Sequence, residues 1–384
     1  GSAGDVVPVQ QALAIEDGNG NRAVLVTLDL VGIDRDTSLA IRNDLKETHG
    51  LALSQIALCT SHTHTGPVVG DNLMSMYFLT PPHRKAVADY TEQLKRDVVR
   101  IVGEAIKDMR PARLSYGVGD ATFAVNRRNN SESDVPRLRA EGQLRGPVDH
   151  SVPVLRVTTG DDQLRAIVFG YACHATTLAF YQWSGDYPGY AQIALEERHP
   201  GATAMFVAGC GADINPLPRR RLELAQDYGR QLADAVDKVL ADAMQPVAGE
   251  LTTRYTEIDL PFDTLPTEDA LRGQAASQNK YGASRARRLL AQIDAGQPLS
   301  PTYPYPVQAW RFGDDLRFIT LGGEVVVDFA LRLKRELGEK TTWTAGYAND
   351  VMAYIPSERV LKEGGYEGGG AMVYYGLPTT WATG

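Results

Sequence analysis

Apolar and polar positions alternate over residues 11–15 and 22–30, the period of a half-buried strand. Between them Asp17-Gly18-Asn19-Gly20 predicts a hairpin turn whose Gly and Asn supply positive φ. The period then lengthens. Over residues 34–48, Leu39, Ile41 and Leu45 recur at roughly helical spacing, with Asp36 as the expected cap and Gly50 as the stop. Residues 55–61 return to a strand pattern, so strand, helix and strand make a βαβ unit. Such a unit pairs its strands in parallel and puts loops at their carboxyl ends, where α/β proteins place their sites. Ser61-His62-Thr63-His64 falls at one of those ends.

Further along, residues 83–110 carry Val87, Tyr90, Leu94, Val98, Ile101 and Ala105 at spacings of three and four, predicting an amphipathic helix before a strand at 113–118. Residues 126–150, rich in Asn, Arg, Ser, Asp, Pro and Gly, predict a long ordered loop. Two similar hairpins follow, 154–159 with 164–173 and 307–312 with 316–321; each returning strand starts Leu-Arg and leads towards His174 or Glu324. Helices are expected at 190–199, 221–243, 268–295 (as one or two) and 326–337, and strands at 204–208 and 251–260. The Gly-dense stretch 363–370 reads as a flexible or ligand-approaching loop. The pattern as a whole predicts an α/β fold of mixed sheets packed with helices. No linker splits it, so residues 5–384 read as one domain, with Gly1-Ser2-Ala3-Gly4 as a cloning remnant.

Composition narrows the function classes. The 384 residues are 43% hydrophobic and 22% charged, enough to build a conventional core and to disfavour disorder. A net charge of −8 removes any chain-wide attraction to nucleic acid or anionic membrane, and no apolar run reaches the length of a transmembrane helix. Cys59, Cys173 and Cys210 form no CxxC pair, so neither a thiolate zinc knuckle nor a disulfide framework is indicated; Cys59 and Cys173 read as buried packing residues, with a pair between them as the alternative.

Several residues could carry chemistry. If 61–64 continue a strand, a period of two puts the His62 and His64 rings on one face, as an H-x-H metal pair or as ordinary hydrogen-bonded polar residues. His174, before Ala175-Thr176-Thr177, reads as a ligand or as a histidine satisfied by its threonines. Glu324, after Gly322-Gly323, reads as a helix-capping carboxylate or as the acidic member of a His/His/Glu site. The turn Gly209-Cys210-Gly211-Ala212-Asp213-Ile214-Asn215-Pro216 lacks the lysine of a phosphate loop. No G-x-S-x-G or H-E-x-x-H is present.

Taken in order, Thr60-Ser61-His62-Thr63-His64-Thr65-Gly66-Pro67, Asn126-Arg127-Arg128, the stretch 168–177, Gly211 to Pro216, Gly323-Glu324 and the stretch 346–354 resemble the catalytic amino-terminal domain of the neutral/alkaline ceramidases. They span roughly residues 24 to 370. The resemblance implies a zinc ion held by His62, His174, Glu324 and Tyr354, with His64 and Arg127 contacting the substrate carbonyl or a zinc-bound water and Asp213 and Asn215 beside them. It implies a zinc-dependent hydrolase of an N-acyl amide, acting on ceramide or a smaller, more polar acylated compound, in a secreted or periplasmic setting. An ester or glycoside hydrolase and a non-catalytic zinc-containing binding protein are the other readings. Two departures stand out. Asn215 replaces the family's active-site serine, and the length implies that the family's carboxy-terminal immunoglobulin-like domain is missing.

Overall fold

In the computed structural model, which describes residues 8–383, β1 (Gln10–Glu16) and β2 (Arg22–Leu28) pair antiparallel from Gln10↔Leu28 to Glu16↔Arg22. Of the turn residues only Gly20 has positive φ, +83°; Asn19 needs none, because the Asp17 carboxylate accepts from the Asn19 and Asn21 amides, each at 2.9 Å. Helix α1 (Arg35–His49) is capped by Asp34, whose side chain accepts from the Thr37 amide, and ends at Gly50 in the left-handed conformation. Asp36, the expected cap, lies inside the first turn, where a carboxylate complements the helix dipole. Strand β3 (Ile56–Thr60) runs parallel to β2 and completes a three-stranded sheet, β1-β2-β3.

After α2 (Pro81–Lys107) come β4 (Ala112–Asp120) and β5 (Ala124–Asn126). The polar stretch that follows is irregular apart from α3 (Val135–Ala140). A five-stranded sheet, β10-β4-β6-β7-β8, is built from β4, β6 (Ser151–Thr159), β7 (Leu164–Tyr171), β8 (Thr203–Ala208) and β10 (Gln245–Val247). Between these strands lie α4 (Asp186–Arg198), β9 (Ile214–Pro216) and α5 (Leu222–Ala241). Helix α4 begins four residues before the apolar period indicates, because Asp186, Tyr187, Pro188 and Gly189 are all buried and offer no polar face to contrast with.

The carboxyl-terminal part contains β11 (Leu251–Pro261), two separate helices α6 (Glu268–Ala275) and α7 (Lys280–Asp294), then β12 (Thr302–Phe312) and β13 (Leu316–Leu321). After β14 (Glu324–Val325) come α8 (Val327–Leu337), β15 (Thr342–Ala345), β16 (Tyr354–Ile355), α9 (Glu358–Glu363), a π turn (Tyr366–Gly370) and α10 (Met372–Tyr375). Strands β11, β12, β13 and β15 make a four-stranded sheet.

Alternation along β7 explains how the layers stack. Ile167 and Phe169 join Tyr187, Leu232 and Val236 in the core beneath α4 and α5, while Val168 joins Leu25, Trp310, Phe318 and Trp343 in a second core between sheets. The five-stranded sheet is thus covered on both faces, which leaves chemistry to the ends of its strands. Cys59 and Cys173 are the buried packing residues expected, and the alternative of a disulfide between them does not form. All three cysteines are free and buried in different apolar clusters, Cys59 between the sheets, Cys173 beneath the helices and Cys210 under the four-stranded sheet. Among the described residues no helix is long and apolar enough to cross a membrane.

Candidate metal centre

The β3 strand ends at Thr60, so the two histidines are not brought together by strand alternation. His62 instead adopts φ +60°, a left-handed conformation that costs a non-glycine residue of order 1–2 kcal/mol and recurs at functional sites. That turn folds the chain back until His62 and His64 Nε2 lie 3.2 Å apart with their rings edge to face. The His62 ring is held from two sides. Its Nδ1–H donates to the Val31 carbonyl at 2.5 Å, and its face stacks on Tyr347 at 4.3 Å between centroids.

His174 sits three residues beyond β7, its amide bonded to the Ile214 carbonyl and its Nδ1–H donating to the Gly211 carbonyl at 2.8 Å. Only glycine fits at 211, because a Cβ there would lie 2.5 Å from the Cys173 amide nitrogen. Glu324 enters from the other half of the chain. Strand β14 pairs in parallel with β16 in the register Glu324↔Tyr354, which sets those two side chains beside one another. Glu324 does not cap α8: the first amide of that helix, from Val327, donates to Asp213 Oδ1 at 2.9 Å.

These four elements converge on one point. Glu324 Oε2 lies 3.1 Å from His62 Nε2 and 3.2 Å from His174 Nε2, and the Tyr354 hydroxyl lies 3.3 Å from His174 Nε2. Glu324 Oε2 is buried yet makes no hydrogen bond, whereas Oε1 accepts from the Tyr375 hydroxyl. An orphaned carboxylate oxygen facing imidazole nitrogens whose Nδ1 protons are committed to backbone carbonyls is a lone-pair donor set, and it fits a metal ion. The ring nitrogens of His62, His64 and His174 all lie within 4.8 Å of one another. Burial lowers the His174 pKa to about 4, with Arg127 adding to the effect. Neutral imidazoles are the form that ligates.

Arg127 flanks this centre. It follows β5, which pairs with β9 in the register Asn126↔Ile214 and Val125↔Asn215, and its amide donates to the Asp213 carbonyl. Its guanidinium donates through Nε to Glu367 at 2.7 Å, through one terminal nitrogen to Asn215 Oδ1 at 3.2 Å and through the other to the Tyr354 hydroxyl at 3.0 Å. Asp213 ties this side together, since its second carboxylate oxygen accepts from the Asn126 amide group at 3.1 Å. His64, Arg127, His174 and Tyr354 line one pocket of about 510 Å³, with Tyr181 and Tyr366 at its wall. A larger cavity of about 1110 Å³ lies between β1, β4 and the loop before β11 and shares none of these residues.

The structure therefore brings His62, His64, His174, Glu324, Tyr354, Arg127 and Asn215 together, with Asp213 directing its carboxylate to the α8 amide and Asn126. Sequence reasoning missed Tyr347, Tyr375 and Glu367. Tyr347 lay inside a stretch already singled out, and Glu367 is the one acid within the glycines of 364–370. Tyr375 carried no signal.

Over residues 9–215 the chain matches the family described as neutral/alkaline non-lysosomal ceramidase, N-terminal. It is 26% identical over 226 residues to neutral ceramidase A of Dictyostelium discoideum, covering 54% of this chain and 31% of that protein. Neutral ceramidase B of the same organism is 25% identical over 225 residues, covering 54% and 30%. These alignments span about a third of each relative's length. The crystal structure of neutral ceramidase from Pseudomonas aeruginosa superposes with a TM-score of 0.71 at 19% identity, covering 98% of this chain and 71% of that one. A ceramidase complexed with C2 gives 0.71 at 19% identity, covering 96% and 68%. At that identity the likeness speaks for the fold, which is the expected α/β arrangement of mixed sheets and helices.

Proposed function

The chain belongs to the neutral/alkaline non-lysosomal ceramidase family, and from that premise we propose that it is a zinc-dependent hydrolase of N-acyl amides, ceramide or a smaller and more polar acylated compound. The observation that carries this reading is the orphaned Glu324 Oε2 among the imidazole nitrogens and the Tyr354 hydroxyl. His62, His174, Glu324 and Tyr354 would hold the ion, an oxygen and nitrogen donor set that suits zinc. When bound, zinc supplies Lewis-acid polarisation of an acyl carbonyl and lowers the pKa of water. His64, exposed to the pocket, would accept a proton from the attacking water and pass it to the leaving amine. Arg127, fixed by Glu367, directs its guanidinium and the Tyr354 hydroxyl at the charge that develops on the carbonyl oxygen, a contribution of roughly 3–4 kcal/mol per donor in comparable sites. Asn215 and Asp213 support that guanidinium by side chain and backbone. The same reading takes residues 5–384 as one hydrolase domain.

The test is metal analysis of the purified protein, followed by assay of fatty-acid release from ceramides and from N-acyl amino acids and sugars. About one equivalent of zinc with metal-dependent release is expected. Zinc below a tenth of an equivalent that added zinc does not raise would sink the proposal.

A further inference from the structure

In a protein with 47 acidic and 39 basic residues, the pocket that opens onto the histidines has three arginines in its wall, Arg127, Arg219 and Arg220, and no carboxylate. Arg127 is committed to the reacting end of the pocket. Arg219 and Arg220 are a separate pair, following β9, and both donate to one carboxylate: Arg219 Nε to Glu132 Oε2 at 3.2 Å and an Arg220 terminal nitrogen to Glu132 Oε1 at 3.1 Å. Two cations sharing one anion leave an uncompensated positive charge. Among the described residues both terminal nitrogens of Arg219, and Nε and the second terminal nitrogen of Arg220, have no protein partner.

The pair is also held in place. Arg220 adopts φ +73°, a conformation that non-glycine side chains disfavour, and its amide donates to the Thr177 carbonyl at 2.6 Å. Thr177 is three residues past His174, so the strained arginine is fastened to the same loop as the proposed ligand. A neutral diol or amide substrate needs no such charge. Guanidinium donors in the pocket wall match a carboxylate or phosphate, which they bind by charge-assisted and often paired hydrogen bonds.

We propose that Arg219 and Arg220 form an anion subsite, and that the substrate is an N-acylated amine bearing a carboxylate or phosphate group that docks there while its amide faces His64 and Tyr354. This deepens the hydrolase reading and rests on it. The experiment compares N-lauroylglycine, N-lauroyl-phosphoethanolamine and the neutral N-lauroylethanolamine with the zinc-loaded enzyme, and with Arg219→Gln/Arg220→Gln and Glu132→Gln variants whose folding is followed by thermal melting. An anionic substrate is expected to exceed the neutral one in kcat/KM by at least about tenfold, the range of a charged hydrogen bond. The double variant collapses that preference towards one, and Glu132→Gln, which frees both arginines, lowers KM for the anionic substrate. Which anionic substrate leads tells carboxylate from phosphate.

Equal kcat/KM for all three, or a preference that survives the double substitution, overturns the proposal. Loss of activity towards every substrate in Glu132→Gln would make the arginines a loop brace, and also overturns it. If no substrate is turned over, the hydrolase reading fails by itself. Calorimetric binding of N-lauroylglycine against N-lauroylethanolamine then decides, with a preference abolished by the double variant supporting the subsite and equal affinities rejecting it.

Discussion

The two sides of the pocket are built by different means. On the inner side, His62 and His174 are oriented by backbone carbonyls and Glu324 by a strand pairing, all buried, with Gly211 permitting the approach that aims one of those carbonyls. On the outer side, Arg127 is oriented by side chains: Glu367 at 2.7 Å, the Tyr354 hydroxyl at 3.0 Å and Asn215 at 3.2 Å. Glu367 also binds Arg128 at 2.7 Å, and it hangs from a π turn whose Gly368 packs so closely that a Cβ would lie 2.6 Å from the Val360 carbonyl oxygen. Backbone-held groups change little when a neighbour is substituted. Side-chain-held groups should respond in proportion to the partner removed.

The largest effect is expected at the inner side. Glu324→Gln removes the anionic donor but keeps the shape, and leaves the imidazoles where the carbonyls hold them. Metal affinity should fall by at least about a hundredfold, since even outer partners of metal ligands are worth ten- to a hundredfold. Titration with a competing chelator measures it. Affinity within threefold of the parent would mean that Glu324 is not a ligand.

Glu367→Gln comes next and separates the two sides. Zinc content should be unchanged, while kcat/KM falls about ten- to a hundredfold as a charged hydrogen bond to Arg127 is weakened. The loss should appear in kcat, because the guanidinium would act on the charge formed during reaction. A fall in zinc content equal to the fall in activity would merge the two sides into one unit.

How much of this was legible follows the same division. Hairpins, the α1 stop at Gly50 and the apolar faces of the helices depend on neighbours a few residues away, and the sequence pattern predicts them. The H-x-H pair was found, but through strand alternation, whereas the actual device is the left-handed turn at His62. Glu324 and Tyr354 meet through strands of two residues, too short to show any period, so Tyr354 was reachable only through resemblance. Arg127 and Glu367 are 240 positions apart, and no local pattern links an arginine in a polar loop to an acid among glycines. The free cysteines make the same point, because proximity to site residues in sequence placed them in three different cores.

Titration offers a further contrast, smaller in size. Behind the inner side, Asp350 is buried, accepts from the Tyr303 hydroxyl at 2.6 Å, and has a second oxygen without a partner; burial raises its pKa to about 7. The folded state then binds a proton more readily than the unfolded state, so the stability from this group is complete below about pH 4 and is lost as pH rises towards 7. The slope is at most about 1.4 kcal/mol per pH unit. Glu367 runs the other way: burial would raise it, but Arg127 and Arg128 outweigh burial and lower it, so its contribution is present above the unfolded carboxylate pKa and lost on acidification. Denaturant unfolding between about pH 2 and 8 should show Asp350→Asn flattening the decline from about pH 4 to 7 and Glu367→Gln flattening the loss below about pH 4. Indistinguishable profiles for the two variants would remove the contrast.

The smallest expected effect is at Asn215, which shares Arg127 with Glu367 but contributes a neutral acceptor at a longer distance, 3.2 Å against 2.7 Å. The bond is charged only on the donor side and long, which puts it at the weak end of the roughly 1.5–3 kcal/mol of hydrogen bonds to charged groups, so Asn215→Ser should lower kcat/KM by about tenfold where Glu367→Gln, which removes an ion pair, lowers it more. Because the resemblance implies a serine at this position, the substitution also asks whether the shorter side chain admits ceramide. Steady-state assays on ceramide and on an N-acyl amino acid answer both questions. A loss as large as that of Glu367→Gln would mean that the neutral amide, rather than the ion pair, sets the position of Arg127.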